Sequence, residues 1–192
     1  MKNRIITISR EFGSGGRTIG GRVAEKLGIP CYDSVLITKA AEQSGFDKIY
    51  VEEMGEHTAG GWFSTVNVSR RFGPTSQDML WFIQQKVISE IAAEESCVIV
   101  GRCADYILRG KADCLNVFIH ADKEKRAERI VKEYGEQELS PLRLLEDKDK
   151  RRATYYRFYT HMEWGKIQNY HIALDSGVLG IDRCVELIAV LY

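Results

Sequence analysis

A run of β-branched residues, Ile5-Ile6-Thr7-Ile8, predicts a strand buried on both faces. A glycine-rich turn follows, and then a helix from about Thr18 to Leu27. Its apolar positions Ile19, Val23 and Leu27 fall four residues apart on one core-facing stripe, and Gly28 and Pro30 end it. Val35 to Gln43 predicts a second helix with Ser34 as its N-cap. Gly55 to Ser76 is rich in Gly, Ser and Thr and reads as a mobile loop or flap. Helical patterning resumes from Asp78 to about Glu94. Cys97-Val98-Ile99-Val100 and Leu115-Asn116-Val117-Phe118-Ile119 are two more short buried strands, each followed by helical sequence. Ile172-Ala173-Leu174 is a weaker fourth strand, and Asp182 is expected to cap a last helix through Leu191. Strands that alternate with helices, without hairpin signals, predict an α/β fold. The expected architecture is three layers, with a central parallel sheet between helices and right-handed crossovers.

Composition sharpens this. With 192 residues, the chain is sized for a single domain over 1–192. Three Trp, nine Tyr and seven Phe exclude a solvated coil as a global description. The 27 basic and 27 acidic residues cancel, whereas a nucleic-acid binder held by phosphate contacts usually carries a basic excess. Cys31, Cys97, Cys103, Cys114 and Cys184 form no CxxC pair and are odd in number, so reduced thiols in a cytosol are expected. The start of the chain does not read as a signal peptide, and the longest apolar run, Leu187 to Tyr192, falls far short of the ~20 residues that span a bilayer. A cytoplasmic protein without membrane or nucleic-acid partners is expected, with room for a homo-oligomer.

The chemistry concentrates where the first strand meets the first helix. There the chain reads Ser9-Arg10-Glu11-Phe12-Gly13-Ser14-Gly15-Gly16-Arg17-Thr18-Ile19-Gly20. At such a junction backbone N–H groups wrap a phosphate and a helix N-terminus points at it. Against the template GxxxxGK[ST], the window Glu11 to Thr18 keeps Gly16 and Thr18. It has Glu11 in place of the first Gly, and Arg17 in place of the Lys. Gly13, Ser14, Gly15, Gly16, Arg17 and Thr18 are therefore the expected ATP cradle. The Thr18 hydroxyl is expected to hold Mg²⁺ and Arg17 to neutralise the β/γ-phosphates.

Three further places carry candidates. Asp33 follows a short run, Ile29-Pro30-Cys31, where it serves either to orient a substrate hydroxyl or simply to cap a helix. Val100-Gly101-Arg102 ends a buried strand, and an Arg at the carboxyl edge of a sheet suits an anionic ligand. The charged stretch from Lys123 to Arg157 reads either as a solvated helical face or as a lid whose arginines, Arg126 and Arg129 among them, close over transferring phosphates. Trp62-Phe63 and Trp81-Phe82 read as core or subunit contact rather than as a base-stacking platform.

In this order along the chain, the sequence resembles the cytidylate kinase-like family of phosphate-loop kinases. The resemblance is carried by Arg10 to Arg17, Tyr32-Asp33, Val100-Gly101-Arg102, the stretch Asp149 to Tyr156, Trp164-Gly165 and Leu179-Gly180-Ile181-Asp182. It implies the three-layer phosphate-loop fold and ATP-dependent phosphoryl transfer to a small acceptor, a nucleoside monophosphate such as CMP. On this reading Arg17, Asp33, Arg126 and Arg129 are expected to be catalytic, with Arg17 and the lid arginines Arg126 and Arg129 spreading the transition-state charge. Arg102 and Arg152 would hold the phosphate of the acceptor, with Asp33 and Asp149 on its polar groups. True cytidylate kinases carry Asp-Gly-Arg-Asp where this chain has Val100-Gly101-Arg102-Cys103, so both flanking acids are lost. The alternatives are a kinase of another small acceptor and a nucleotide-binding regulator without turnover. Mobile segments are expected near 55–76 and near 135–140.

Overall fold

The computed structural model describes residues 3–33, 76–135 and 140–192. The first strand, β1 (Arg4–Arg10), leads into α1 (Gly16–Leu27), and β2 (Cys31–Tyr32) follows. Then come α2 (Ser76–Glu94), β3 (Cys97–Val100), a short α3 (Ala104–Ile107), β4 (Asp113–His120), α4 (Lys123–Tyr134), α5 (Pro141–Thr160), β5 (Ile172–Asp175) and α6 (Ser176–Leu191). The five strands form one sheet in the order β2-β3-β1-β4-β5, and every pairing is parallel. β1 lies in the middle, paired with β3 through Ile5–Cys97 and with β4 through Ile5–Cys114.

The β-branched run forms a strand because both of its faces are covered. Ile6 and Ile8 face one apolar layer with Ile19 and Val23 of α1 and Cys184, Val185 and Ile188 of α6. Ile5 faces the other, with Val87, Ile88 and Ile91 of α2, Ile107 of α3 and Tyr156 of α5. Thr7, buried among apolar neighbours, donates its hydroxyl to Asn116 Oδ1 at 2.7 Å, so no polar atom of that pair is stranded. The expected three-layer α/β/α architecture with its parallel sheet is the one observed. The weak fourth strand is β5, and the run before Asp33 becomes the edge strand β2.

The last helix starts earlier than the expected cap at Asp182. Asp175 caps it, accepting from the N–H groups of Gly177 and Val178 at 2.8 and 3.2 Å. Gly180 interrupts the helical backbone at φ 76°, and Asp182 beyond it pairs with Arg22 of α1 at 2.5 Å. Trp81 is core, stacked on Tyr159 at 4.5 Å, while its neighbour Phe82 is exposed. The expected helix over 35–43, the flap up to residue 75, Trp62-Phe63, and the segment 136–139 lie outside the described residues. Among the described residues no helix is long and apolar enough to cross a membrane.

Candidate active site

The carboxyl ends of β1, β3 and β4 converge on the glycine loop, which runs from Glu11 to Gly15 between β1 and α1. Gly13 has φ 73°, and a Cβ there would stand 2.9 Å from the carbonyl oxygen of Arg126, so the close turn requires glycine. Helix α1 opens at Gly15 without a side-chain cap, which leaves its first-turn amides without a side-chain acceptor. An open helix N-terminus behind a glycine turn fits a phosphate group. Arg17 and Thr18 stand exposed on that first turn.

Glu11, at the position of the missing template glycine, anchors the loop. Its carboxylate accepts from the N–H of Ala121 at 3.1 Å, and its carbonyl accepts from the Ser14 amide and hydroxyl. Ser176 donates to the Ser14 carbonyl at 2.5 Å from the start of α6. Arg129 of α4 donates to the Gly13 carbonyl at 2.8 Å, which brings its guanidinium beside the loop.

Arg126, expected among the lid arginines, is seated against the glycine loop. It is buried, with 4% of its side chain exposed, and donates to the Phe12 carbonyl at 3.1 Å and to Asp149 Oδ2 at 2.6 Å. Its Nε lies 3.4 Å from Glu11 Oε2 but makes no hydrogen bond. Asp149, expected on the polar groups of the acceptor, is seated at the loop as well. One of its oxygens receives the Phe12 N–H at 2.7 Å and the other receives Arg126. Together they tie the loop to α4 and α5. Arg152 lies over the Phe12 ring at 5.3 Å and within 3.8 Å of Asp149.

Asp33 ends the edge strand beside the loop. It pairs with Arg17 Nε at 2.7 Å and stands 3.9 Å from Arg10. The Arg10 guanidinium passes directly under Gly101, where a Cβ would meet its Nη1 at 1.9 Å. With φ 82°, Gly101 satisfies both the turn and the close approach. Next to this crossing lies a cavity lined by Ser9, Arg10, Arg102, Cys103, Lys148, Arg151, Arg152, Tyr155, Tyr156 and Trp164. Among the described residues that lining holds five cations and no carboxylate, so the cavity suits an anion. Arg102 and Arg152 both line this cavity.

Residues 5–178 match the cytidylate kinase-like family. The chain belongs to that family. It is a kinase, an enzyme of phosphoryl transfer, and ATP is the co-substrate that membership implies. A cytidylate kinase of Archaeoglobus fulgidus is 29% identical over 188 residues, covering 95% of this chain and 91% of the relative. A cytidylate kinase of Methanopyrus kandleri is 25% identical, covering 96% and 90%. An uncharacterized protein of Eubacterium ventriosum superposes with a TM-score of 0.72 at 28% identity, over 98% of each chain. The shikimate kinase of Acinetobacter baumannii shares the fold, with a TM-score of 0.54 at 15% identity over 100% of this chain and 93% of that one.

Several lining residues carry no role in the sequence reading. Arg10, Tyr155, Tyr156 and Trp164 stand within the family-like stretches without an assigned function. Lys148 and Arg151 lie in a run of mixed charge that resembles a solvated helix. The signal that finds them is spacing: Lys148, Arg151, Arg152 and Tyr155 recur at i, i+3, i+4 and i+7, one face of α5. Behind that face, the buried Tyr156 hydroxyl donates to the buried Asp105 carboxylate at 2.6 Å. Burial raises the Asp105 carboxyl above the ordinary value, against the hydrogen bond from Tyr156. Tyr170 lies within hydrogen-bonding reach of Tyr156 and of Ser9, and burial pushes its hydroxyl up to about 12.

Proposed function

We propose that this kinase transfers the γ-phosphoryl group of ATP to a small phosphorylated acceptor, a nucleoside monophosphate such as CMP, in the cytoplasm. The observation that carries the reading is the cavity of Arg10, Arg102, Lys148, Arg151 and Arg152 beside the glycine loop. An uncapped helix N-terminus for one phosphate group, next to a cationic hollow for another, is what phosphoryl transfer between two anions requires. The names of the Archaeoglobus and Methanopyrus relatives support CMP within that class.

The loop amides from Gly13 to Thr18 hold the donor, and Arg129 stands beside them. Arg17 exchanges Asp33 for the β/γ-phosphates when ATP enters, and its fork spreads the charge that develops in transfer. Asp33, released from Arg17 but still near Arg10, orients the polar groups of the acceptor. Arg102 and Arg152 grip the acceptor phosphate. Arg126 and Asp149 keep the loop and α5 in register, which makes them positioning residues. Thr18 is the residue that would hold Mg²⁺, which neutralises charge on the β- and γ-oxygens when bound.

The test is ADP formation from Mg-ATP with and without CMP, followed by a panel of nucleoside monophosphates, nucleosides and non-nucleotide alcohols. ADP formed only with CMP or another monophosphate sustains the reading. ADP formed with an uncharged alcohol makes the chain a kinase of another acceptor. ATP bound without consumption under every condition makes it a nucleotide-binding regulator.

A further inference from the structure

Three consecutive residues at the end of β3 adopt left-handed backbone: Gly101 at φ 82°, Arg102 at φ 55° and Cys103 at φ 55°. Only the first is glycine. Side chains disfavour this region, and non-glycine residues persist there when the surroundings over-determine them. Within the turn, the Ala104 N–H donates to the Gly101 carbonyl at 3.2 Å and the Ile107 N–H to the Cys103 carbonyl at 2.9 Å. The Gly101 N–H ties it to β1 through the Ile8 carbonyl at 3.0 Å. A polar link to α5 comes two residues later, where Asp105 accepts the Tyr156 hydroxyl at 2.6 Å, beside the apolar packing of Cys103 and Ala104 with Tyr156. Asp105 and Tyr156 are 1% and 3% exposed, and 51 residues separate them in sequence. Asp105 does not line the cavity, so it cannot touch an acceptor there. Arg102, inside the turn, and Lys148, Arg151, Arg152 and Tyr156, on α5, all do line it.

We propose that the Asp105–Tyr156 hydrogen bond is the clamp that holds the left-handed turn against α5, and that it thereby positions Arg102 for the phosphate of the acceptor. This rests on the reading that the cationic cavity is the acceptor site. Asp105 is a positioning residue: it acts through the backbone of the turn and through the tyrosine. A buried hydrogen bond suits this task because breaking it strands a polar atom, which makes the alternative position of the turn costly.

Asp105→Ala and Tyr156→Phe both remove the bond, whereas Asp105→Asn keeps an acceptor oxygen in place. In the ADP-formation assay, Asp105→Ala and Tyr156→Phe should each raise KM for CMP about tenfold, with KM for ATP within about twofold of wild type. Asp105→Asn should recover most of the loss. In an Arg102→Ala background, Tyr156→Phe should add less than about twofold, because the residue it acts through is gone. If Asp105→Ala does not fold, Tyr156→Phe and Asp105→Asn carry the comparison. An equal rise in both KM values, or a Tyr156→Phe effect undiminished in the Arg102→Ala background, overturns the clamp. A wild-type chain that neither turns over nor binds CMP defeats the functional reading instead. The same cycle is then read calorimetrically with inorganic pyrophosphate on the chain saturated with Mg-ADP. Non-additivity of Tyr156→Phe with Arg102→Ala sustains the clamp there, and pyrophosphate binding that does not depend on Arg102 overturns it.

Discussion

Arg17 stands on the first turn of α1 with 67% of its side chain exposed and its Nε 2.7 Å from Asp33. An ion pair this open to solvent contributes little to stability. Removing it should therefore change the unfolding free energy by less than about 0.5 kcal/mol. The same removal takes the cation from the charge that builds up during transfer, which should cost on the order of 10³ in rate. Arg17→Ala is thus expected to melt like wild type and to form almost no ADP; ADP formation at the wild-type rate would mean that this loop is not the ATP site. Arg17→Lys separates charge from shape. An ammonium restores the charge but lacks the planar fork with which the guanidinium would meet the β/γ-phosphates, so the lysine variant should remain impaired.

At the scale of elements, the glycine loop is held by parts of the chain far from it. Phe12 bonds to Asp149 across 137 positions of sequence, and Arg126 bonds to the Phe12 carbonyl across 114. Asp149→Ala would take from the buried Arg126 its 2.6 Å carboxylate partner, leaving it Glu11 and the Phe12 carbonyl, and would leave the Phe12 N–H without its acceptor. Breaking one partner of a buried pair typically costs about 3–5 kcal/mol. At this chain length, that corresponds to a melting temperature lower by roughly 6–20 °C. A thermal melt checks this, and KM for ATP should rise with the loosened loop. A melt within 2 °C or so of wild type would show that the tie carries little of the fold. Such ties explain what was and was not legible in the sequence. The strand–loop–helix at the start of the chain was legible, because Ile5 to Ile8, the glycines, and Ile19, Val23 and Leu27 are local signals. Arg102 was legible because it ends a buried strand. The burial of Arg126 and the use of Asp149 were not, since a charged helix reads the same whether its partner is water or a loop more than 100 residues away. The clamp between Asp105 and Tyr156 was hidden for the same reason. Glu11 read as a departure from a template because its partners, Ala121 and Arg126, lie beyond the next strands.

Across the whole molecule, apolar layers cover both faces of the sheet, and the cysteines lie within or against them. Cys97 and Cys103 belong to one layer and Cys184 to the other, while Cys114 and Cys31 pack against them. All five are free thiols. Burial pushes Cys97 up to about 12 and Cys114 up to about 11, from an ordinary 9.0. Cys31, Cys103 and Cys184 are raised by burial as well. Tyr32 moves the same way, up to about 12, chiefly through its hydrogen bond with Glu95. The sign of the consequence follows from which state holds the protons. Between pH 9 and about 11–12 the unfolded chain releases thiol protons that the folded chain retains, so stability falls as pH rises through that window. Below the ordinary thiol value both states are protonated, and the contribution is fully present. Each thiol well inside its window adds a slope approaching about 1.4 kcal/mol per pH unit. Urea unfolding at pH 8 and pH 10 should therefore show a clearly lower midpoint at the higher pH, and Cys97→Ala should reduce the difference by the share of one thiol. At pH 8 the folded chain should react slowly with a thiol reagent, because the thiolate is what reacts, and fully once unfolded. Equal urea midpoints at the two pH values would show that these thiols do not stay protonated in the fold and that burial in the apolar layers does not hold their protons.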